Sequence, residues 1–238
     1  LRLAVGGERL TPVSFVSTIS TVPSGKDEAE IHGEDALLSS PYALSKWVAE
    51  RLVRQAGANG LPVMIHRPSM ITGHSETGFS NATDFVNRYL VGVAQLGVYL
   101  DEDAPFDMTP VDFVSRSIVG LATTDDAWGK TLHLTNVSRS LSYRALGEAL
   151  CDAGLKIVPA SYDLFRAKLS AACSGEAANA LLPLKAFFPA GGFRLGMGPW
   201  PCEASDALLT DAGVDLPEPV GSTLVETYVA SLRSRGLV

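Results

Sequence analysis

A strand–helix–strand pattern near the start of the sequence constrains the fold of this chain more than any other feature. The run 12–19 is rich in β-branched and aromatic residues, which is typical of a buried strand, and it ends in hydroxyl side chains. A helix then begins at Ser40 and Pro41, because serine is a favoured N-cap and proline is favoured at the first helical position, and Gly57 ends it. A second apolar run covers 61–66. Two strands joined by a helix predict parallel pairing with a right-handed crossover, and so we expect an α/β fold.

The rest of the sequence predicts a short sheet-forming part followed by a mainly helical part. Residues 1–7 have the pattern of the last turn of a helix whose beginning is missing, and so we expect a fragment of a longer protein. Polar and Gly/Pro-rich segments predict loops over 23–38, 67–81 and 189–201. The remaining patterns predict strands over 107–111 and 132–136, and helices over 84–99, 111–122, 143–153, 161–173, 176–188, 203–212 and 220–235.

Composition excludes several classes of protein. A chain of 238 residues, 46% of them hydrophobic, is long and apolar enough for one large domain or two small ones, which argues against disorder. The longest nearly apolar run, 89–100, is shorter than the roughly 18–20 residues that span a bilayer, so we expect no membrane helix. A net charge of −7 without a basic patch argues against a nucleic-acid partner. The cysteines are odd in number and lack a C-x-x-C pair, which favours a reduced, cytoplasmic compartment. They are Cys151, Cys173 and Cys202.

Tyr42 and Lys46 are the pair on which a chemical function is predicted. Their i, i+4 spacing places both side chains on one face of the helix, which we expect to point at the sheet. A phenol has a reference pKa of about 10, and a nearby ammonium favours its phenolate form, which brings such a group closer to general acid–base catalysis. Ser17 and Thr18 end the first strand, and a hydroxyl there is placed to hydrogen-bond a substrate carbonyl and to stabilise negative charge on its oxygen. The predicted face contains Tyr42, Ser45, Lys46, Ala49, Leu52, Val53 and Ala56.

The segments around these residues carry a family resemblance. They cover 15–22, 40–50, 66–78 and 109–114, and the most specific are Tyr-Ala-Leu-Ser-Lys-Trp and Gly-His-Ser-Glu-Thr-Gly. With them the sequence resembles the extended short-chain dehydrogenase/reductases. More narrowly, it looks like the thioester reductase domains that terminate nonribosomal peptide synthetases, polyketide synthases and carboxylic acid reductases. The resemblance covers most of the chain to about Asn136, and it continues more loosely to the C-terminus.

The resemblance implies an architecture. We expect the C-terminal part of a Rossmann-type, doubly wound parallel sheet, together with a mainly helical C-terminal substrate subdomain. The Rossmann-type core would comprise 1–73 and 107–136, with the N-terminal cofactor-binding half missing. The substrate-binding subdomain would comprise 74–106 and 137–238.

The resemblance also implies roles for individual residues. Family members use NADPH to reduce a thioester on the phosphopantetheine arm of an acyl or peptidyl carrier protein, and they release an aldehyde or an alcohol. The implied catalytic residues are Thr18, Tyr42 and Lys46. The implied cofactor-binding residues are Ser17, Tyr42, Lys46, Arg67, Pro68, Ser69 and Met70. The implied substrate-binding residues are Ile19, Gly73, His74, Ser75, Asn81 and Phe85. No metal site is expected.

One departure from the family keeps other functions open. Family members begin with a strand, a glycine-rich dinucleotide loop and the residue that selects NAD or NADP, and this sequence has none of these. Since such a loop supplies backbone N–H groups to the pyrophosphate, we expect this chain alone to bind the cofactor poorly and to be inactive. The alternatives are a nucleotide-sugar epimerase or dehydratase of the same superfamily, and a non-catalytic Rossmann-like scaffold.

Four further polar residues allow both a functional and a structural interpretation. Arg67 and Arg88 carry the charge that a phosphate-bearing cofactor or a phosphopantetheine arm requires, but each is equally suited to a structural salt bridge. His66 and His133 lie within apolar runs, so we interpret them as core histidines rather than as metal ligands.

Overall fold

The predicted strand–helix–strand pattern forms a parallel sheet in the structure, a computed structural model that describes residues 1–29, 31, 40–172, 179–192, 198 and 200–238. Among these residues the strands are β1 (Val13–Val16), β2 (Val63–Pro68), β3 (Ile71–Thr72), β4 (Val98–Leu100), β5 (Thr109–Pro110), β6 (Thr131–Leu134) and β7 (Val158–Ala160). The α-helices are α1 (Arg2–Val5), α2 (Pro41–Ala58), α3 (Phe85–Leu96), α4 (Val111–Ala122), α5 (Tyr143–Asp152), α6 (Tyr162–Ala172), α7 (Glu203–Asp211) and α8 (Ser222–Ser234).

The sheet confirms the α/β prediction. Its strand order is β1-β2-β6, and both pairings are parallel. Val13 lies opposite Val63, and Pro68 lies opposite Leu134, so the carboxyl ends of β1, β2 and β6 lie at the same edge. All six residues of β2 are buried, as expected for the central strand of a parallel sheet.

Helix α2 begins where the sequence predicts and ends slightly later. The Ser40 hydroxyl accepts a hydrogen bond from the backbone N–H of Ala43, at 3.2 Å, and Pro41 is the first helical residue. The prediction that Gly57 ends this helix was wrong, since α2 continues to Ala58. Gly57 is required for packing instead, because a Cβ there would lie 2.7 Å from a methyl group of Val63 in β2.

The predicted buried face of α2 needs correction. The fully buried positions are Ala43, Glu50 and Val53, whereas Leu52 is 55% exposed and Tyr42 is 56% exposed. The stripe that faces the sheet is therefore rotated around the helix from the predicted one. Sequence periodicity missed this because an acidic residue, Glu50, occupies the centre of the buried stripe.

The chain divides into two units with boundaries that differ from those predicted. The first unit contains Leu1–Ser69, Phe113–Asn136 and Gly198–Pro217, and the second contains Met70–Asp112, Val137–Met197 and Glu218–Val238. The segment 198–217 was expected in the helical subdomain, but it belongs to the first unit. The reason is visible at Ser205 of α7, whose hydroxyl accepts a hydrogen bond from the backbone N–H of His133 in β6, at 2.8 Å.

The second unit packs its helices around small parallel pairs, β3 with β5 and β4 with β7. Its core includes three aromatic rings with centroids 4.8–5.5 Å apart, those of Tyr89, Phe106 and Tyr143. The helix predicted over 84–99 is shorter than expected, because Gly97 adopts a left-handed conformation with φ of 70° and ends α3. The residues after it form β4, a strand that the sequence did not reveal.

A helix predicted over 176–188 is largely absent from the described residues, which begin again at 179. Only a 3₁₀ helix, Leu182–Phe187, forms there. The Asn179 side chain explains this difference. Its amide donates to the carbonyl of Gly92 at 3.1 Å, and its oxygen accepts from the backbone N–H of Leu181 at 2.8 Å, so these groups bond outside a regular helix. The predicted loops 23–38 and 189–201 lie partly outside the described residues. Cys173 lies outside them altogether.

His66 makes the stability of the sheet depend on pH. It is fully buried in β2, its Nε2 lies 2.7 Å from the Ser14 hydroxyl, and burial lowers its pKa to about 4. Because the unfolded chain takes up the proton near pH 6.5, stability is fully present above that pH and falls as the pH drops toward 4. We expect the free energy of unfolding to decrease by about 2 kcal/mol between pH 7 and pH 5 from this group.

Urea denaturation at a series of pH values tests this prediction. The His66→Gln variant should show a flatter pH dependence than the parent over this interval. Equal slopes for His66→Gln and the parent would contradict the assignment.

Candidate active site

Helix α2 brings Lys46 to the carboxyl end of β1. The Lys46 Nζ donates a hydrogen bond to the carbonyl oxygen of Val16, at 3.0 Å, and lies 5.5 Å from the centroid of the Phe15 ring. Tyr42 precedes Lys46 by one helical turn, and its side chain is 56% exposed. The structure therefore brings the ammonium to the strand end that leads into Thr18, with an accessible phenol one turn away on the same helix.

Thr18 begins the turn that follows β1. It is 7% exposed, and it is the N-cap of a 3₁₀ helix, Ile19–Thr21. Its hydroxyl accepts from the backbone N–H of Ser20 and donates to the Ser20 hydroxyl, both at 3.3 Å. These bonds are longer than the usual 2.7–3.0 Å, so they are weak. Because a hydroxyl proton rotates to suit its acceptor, Thr18 can donate to a carbonyl in place of Ser20.

A buried ion pair fixes α2 to the sheet. Glu50 is 2% exposed and Arg67 is fully buried. Their contact is bidentate: Arg67 Nε donates to Glu50 Oε1 at 3.0 Å, and Nη2 donates to Oε2 at 2.7 Å. Burial raises the pKa of Glu50, but the hydrogen bonds and the charge of Arg67 outweigh burial and hold the pKa below its usual value. The carboxylate is therefore ionised at neutral pH.

Arg67 is thus a structural residue as far as its side chain is concerned. Its guanidinium also donates to the carbonyl of Ala29, at 3.2 Å, and lies 3.4 Å from Nε2 of His133. The suggestion that this guanidinium binds a phosphate-bearing ligand is corrected by its complete burial among protein partners. Only the main chain of Arg67 stays as a candidate for cofactor contact. Glu50 lies within the segment that carries the resemblance, but sequence reasoning assigned it no role.

The other predicted cofactor residues lie at or just after the ends of β1 and β2. Ser17 and Pro68 are buried, and the backbone N–H of Ser69 donates to the carbonyl of Leu134, at 3.1 Å. Met70 belongs to the second unit, where its N–H donates to the carboxylate of Asp107. Their contact with a cofactor stays a prediction.

Two of the predicted substrate residues belong to a hydrogen-bonded loop of the second unit. The backbone N–H and the hydroxyl of Ser75 both donate to the carboxylate of Asp112, each at 2.8 Å. His74 Nδ1 accepts from the backbone N–H of Glu76, at 3.2 Å. The loop is therefore anchored at Ser75 by a carboxylate of α4 and closed at His74 by a bond of its own.

Gly73 lies in the same loop and is buried. Its carbonyl accepts from the Tyr228 hydroxyl, at 2.8 Å, and a Cβ there would meet the carbonyl oxygen of Gly78 at 3.0 Å. Burial raises the pKa of Tyr228 above its ordinary value, so its hydroxyl stays protonated and can donate. The structure gives Gly73 a packing role that is independent of any ligand.

The remaining predicted substrate residues are more varied. Asn81 is exposed, and its side-chain oxygen accepts from the N–H and hydroxyl of Thr83. The ring of Phe85 is half-buried and packs edge-on against Phe187, with centroids 5.5 Å apart. Ile19, in the first unit, is 3% exposed within an apolar cluster, so its side chain is a core side chain. Contact of these residues with substrate stays a prediction.

Arg88 also has protein partners. Its Nε donates to the carbonyl of Thr83 at 2.9 Å, and its Nη1 lies 3.5 Å from the carbonyl of Ala180. These contacts use two of the five N–H donors of the guanidinium, so contact of Arg88 with a ligand stays a prediction.

Neither a cluster of metal ligands nor a membrane-spanning helix occurs in the part of the chain that the structure describes. No group of three or more His, Cys, Asp or Glu residues there has an arrangement that could hold a metal ion. Within the same part, no helix is both long enough and apolar enough to cross a bilayer.

Comparison with known proteins places this arrangement in a family. Residues 1–118 match the model of an NAD-binding family described as male sterility protein. Over 227 residues the chain is 33% identical to a linear gramicidin synthase of Brevibacillus parabrevis, a match that covers 92% of this chain and 4% of that protein. Over 178 residues it is 34% identical to the L-2-aminoadipate reductase large subunit of Eremothecium gossypii, covering 74% of this chain and 12% of that protein.

A solved structure extends the match to nearly the whole chain. The terminal R domain from the myxalamid PKS-NRPS biosynthetic pathway is 34% identical, with a TM-score of 0.86, and the match covers 97% of this chain and 60% of that one. Residues 1–118 belong to the male sterility protein family. The predicted resemblance to terminal reductase domains is confirmed by these matches, and so is the Rossmann-like class of the fold. The chain spans less than two thirds of the length of each of these relatives.

The side chains at the end of β1 suit the nicotinamide cofactor that this NAD-binding family implies. The ribose of such a cofactor presents hydroxyl groups, which need hydrogen-bond donors and acceptors. The Lys46 ammonium has three donors, of which the Val16 carbonyl takes one, and the exposed Tyr42 phenol both donates and accepts. Tyr42 and Lys46 therefore offer the donors and acceptors that a ribose needs, and their contact with the cofactor stays a prediction.

Proposed function

We propose that this chain is part of an NADPH-dependent thioester reductase that releases an acyl or peptidyl chain from a carrier protein as an aldehyde or an alcohol. The observation that carries this proposal is the hydrogen bond from Lys46 Nζ to the Val16 carbonyl, at 3.0 Å. That bond holds the helix of Tyr42 and Lys46 against the strand end that leads to Thr18. The sequence identity of 33% to the linear gramicidin synthase and of 34% to the myxalamid R domain also supports assignment to the reductases.

In the proposed reaction the nicotinamide, when bound, supplies a hydride to the thioester carbonyl carbon. Tyr42 donates its phenolic proton to the carbonyl oxygen, and Lys46 stabilises the resulting phenolate by its positive charge. The Thr18 hydroxyl donates to the same oxygen, where negative charge develops. The reduced carbon then carries both a hydroxyl group and the sulfur. As the carbon–sulfur bond breaks and the carbonyl re-forms, the hydroxyl proton passes by way of the Tyr42 phenolate to the departing sulfur, so that the pantetheine thiol and the aldehyde are released. A second hydride and proton give the alcohol.

We assign to the cofactor in this proposal the main chain of Arg67, together with Ser17, Pro68, Ser69 and Met70. The loop residues Gly73, His74, Ser75 and Asn81, together with Ile19 and Phe85, are assigned to the substrate. We further propose that the enzyme works in the cytoplasm, because its cysteines are odd in number and lack a C-x-x-C pair.

A direct assay of the native full-length protein tests the proposal. Purified protein is mixed with a carrier protein that bears an acyl-pantetheine thioester, and NADPH consumption and free thiol are measured together. We expect one thiol for each NADPH consumed when the aldehyde is trapped, and a much slower reaction with NADH. Absence of thiol release with a panel of acyl chains, or turnover of nucleotide sugars instead, would overturn it.

A further inference from the structure

Thr21 connects two parts of the candidate site through one hydroxyl group. It is 1% exposed, in the 3₁₀ turn after β1. Its Oγ1 lies 2.9 Å from the carbonyl oxygen of Thr18 and 3.1 Å from Oε1 of Glu50. A hydroxyl has a single proton, so the two acceptors share it. The main chain of Thr18 is in this way attached to a side chain of α2.

The far end of this connection is rigid. Glu50 lies one helical turn after Lys46, and its carboxylate is held by the bidentate contact with Arg67 of β2. A charged, bidentate pair is among the strongest side-chain contacts in proteins and fixes orientation as well as distance. The acceptor that Thr21 meets on α2 is therefore immobile relative to the sheet.

The other end of this connection is weaker. Among the described residues the Thr18 hydroxyl contacts only Ser20, twice at 3.3 Å, and the turn itself is closed by a 3.3 Å bond from the Thr21 N–H to the Thr18 carbonyl. With such long bonds, the turn alone holds Thr18 loosely. Reactions that depend on the alignment of several groups lose about 100-fold in rate for a misplacement of about 1 Å.

From these contacts we propose that Thr21 is a positioning residue, which holds Thr18 in register with Tyr42 and Lys46 by bridging the Thr18 carbonyl and the Glu50 carboxylate. This role rests on the proposed function, since it assumes that Thr18, Tyr42 and Lys46 act on one carbonyl. Thr21 does not touch the substrate itself. Its removal therefore affects the catalytic step rather than the affinity for either substrate.

The test compares Thr21→Val with Thr21→Ser in the native full-length protein. Valine keeps the shape of threonine and removes the hydroxyl, whereas serine keeps the hydroxyl. We expect Thr21→Val to lower kcat about 10-fold while KM for the carrier-bound thioester and the Kd for NADPH change less than about 2-fold. Thr21→Ser should restore most of kcat. The ion pair of Glu50 and Arg67 persists in both variants.

A matched control separates positioning from a general effect of losing a buried hydroxyl bond. Ser117→Ala removes a buried hydroxyl that donates to the carbonyl of Phe113 within α4, at 2.8 Å and in the same unit, and it should leave kcat unchanged. Melting temperatures show whether each variant is folded at the assay temperature. If Thr21→Val is not folded, the smaller Thr21→Ala takes its place.

The outcomes distinguish this inference from the proposed function. If the unsubstituted protein releases no thiol from any thioester, the proposed function fails and the positioning role fails with it. If the unsubstituted protein is active but Thr21→Val keeps full kcat, or if Thr21→Ser is as impaired as Thr21→Val, only the positioning role is overturned.

Discussion

Replacing Tyr42 by phenylalanine is expected to lower kcat for thioester reduction by about 10²–10⁴-fold in the native full-length protein, the range typical of losing a general acid. The substitution removes only the phenol hydroxyl, and Tyr42 is 56% exposed, so the fold should be unaffected. Steady-state kinetics with the carrier-bound thioester measure the loss. The Kd for NADPH, measured by fluorescence titration, should change far less than kcat, because the proposed contact of Lys46 with the ribose does not depend on the phenol oxygen.

Tyr162→Phe is the matched control for this experiment. It removes one phenol oxygen from the second unit, where the Tyr162 hydroxyl donates to the carbonyl of Pro189 at 2.9 Å. We expect its kcat to equal that of the parent. Full activity of Tyr42→Phe, or an equal loss in both variants, would rule out Tyr42 as the proton donor.

The second large effect concerns stability rather than rate. Glu50→Ala is expected to lower the free energy of unfolding by about 3–5 kcal/mol, because it leaves the guanidinium of Arg67 buried without its counter-charge. Urea denaturation of this chain at neutral pH measures the change. Glu226→Ala, which removes an exposed helical glutamate of α8, should change the same quantity by less than about 0.5 kcal/mol.

A double variant shows whether the loss comes from the stranded charge. Glu50→Gln combined with Arg67→Met removes both charges and keeps a side chain at each position. We expect it to be more stable than Glu50→Ala, since apolar or neutral replacement of a whole buried pair is often tolerated. A double variant that is less stable than Glu50→Ala would show that the guanidinium contributes mainly through its bonds to Ala29 and His133.

Local sequence signals predicted the elements that position the candidate site. The Ser40-Pro41 start of α2, the parallel pairing of β1 with β2, and helix α4 over 111–122 follow from capping, periodicity and the strand–helix–strand order. These signals act over a few residues and were strong here. The family resemblance then supplied the candidate residues Thr18, Tyr42 and Lys46, whose roles stay predictions.

The features that sequence reasoning missed depend on contacts between distant residues. Nothing near Glu50 in the sequence shows that it is buried, because its partner Arg67 lies on the next strand. Likewise, the bond from His133 to Ser205 places α7 with the sheet, across a separation of 72 residues. The side chain of Asn179 bonds to Gly92 of α3 and so interrupts a pattern that is helical by periodicity alone. An acidic residue within an otherwise apolar stripe, followed by arginine in the next strand, is the one signal that would have revealed the ion pair.

The close approach of α2 to β2 at Gly57 has a consequence at the opposite end of the helix. Because a Cβ at this position would lie 2.7 Å from the stiff side chain of Val63, even alanine would push this end of α2 outward. A helix is a stiff rod, and Lys46 lies about 16 Å along it from Gly57. Such a displacement would tilt α2 and strain the contact between the Lys46 ammonium and β1. The absence of a side chain at Gly57 therefore helps to position Lys46, which lies about three turns away.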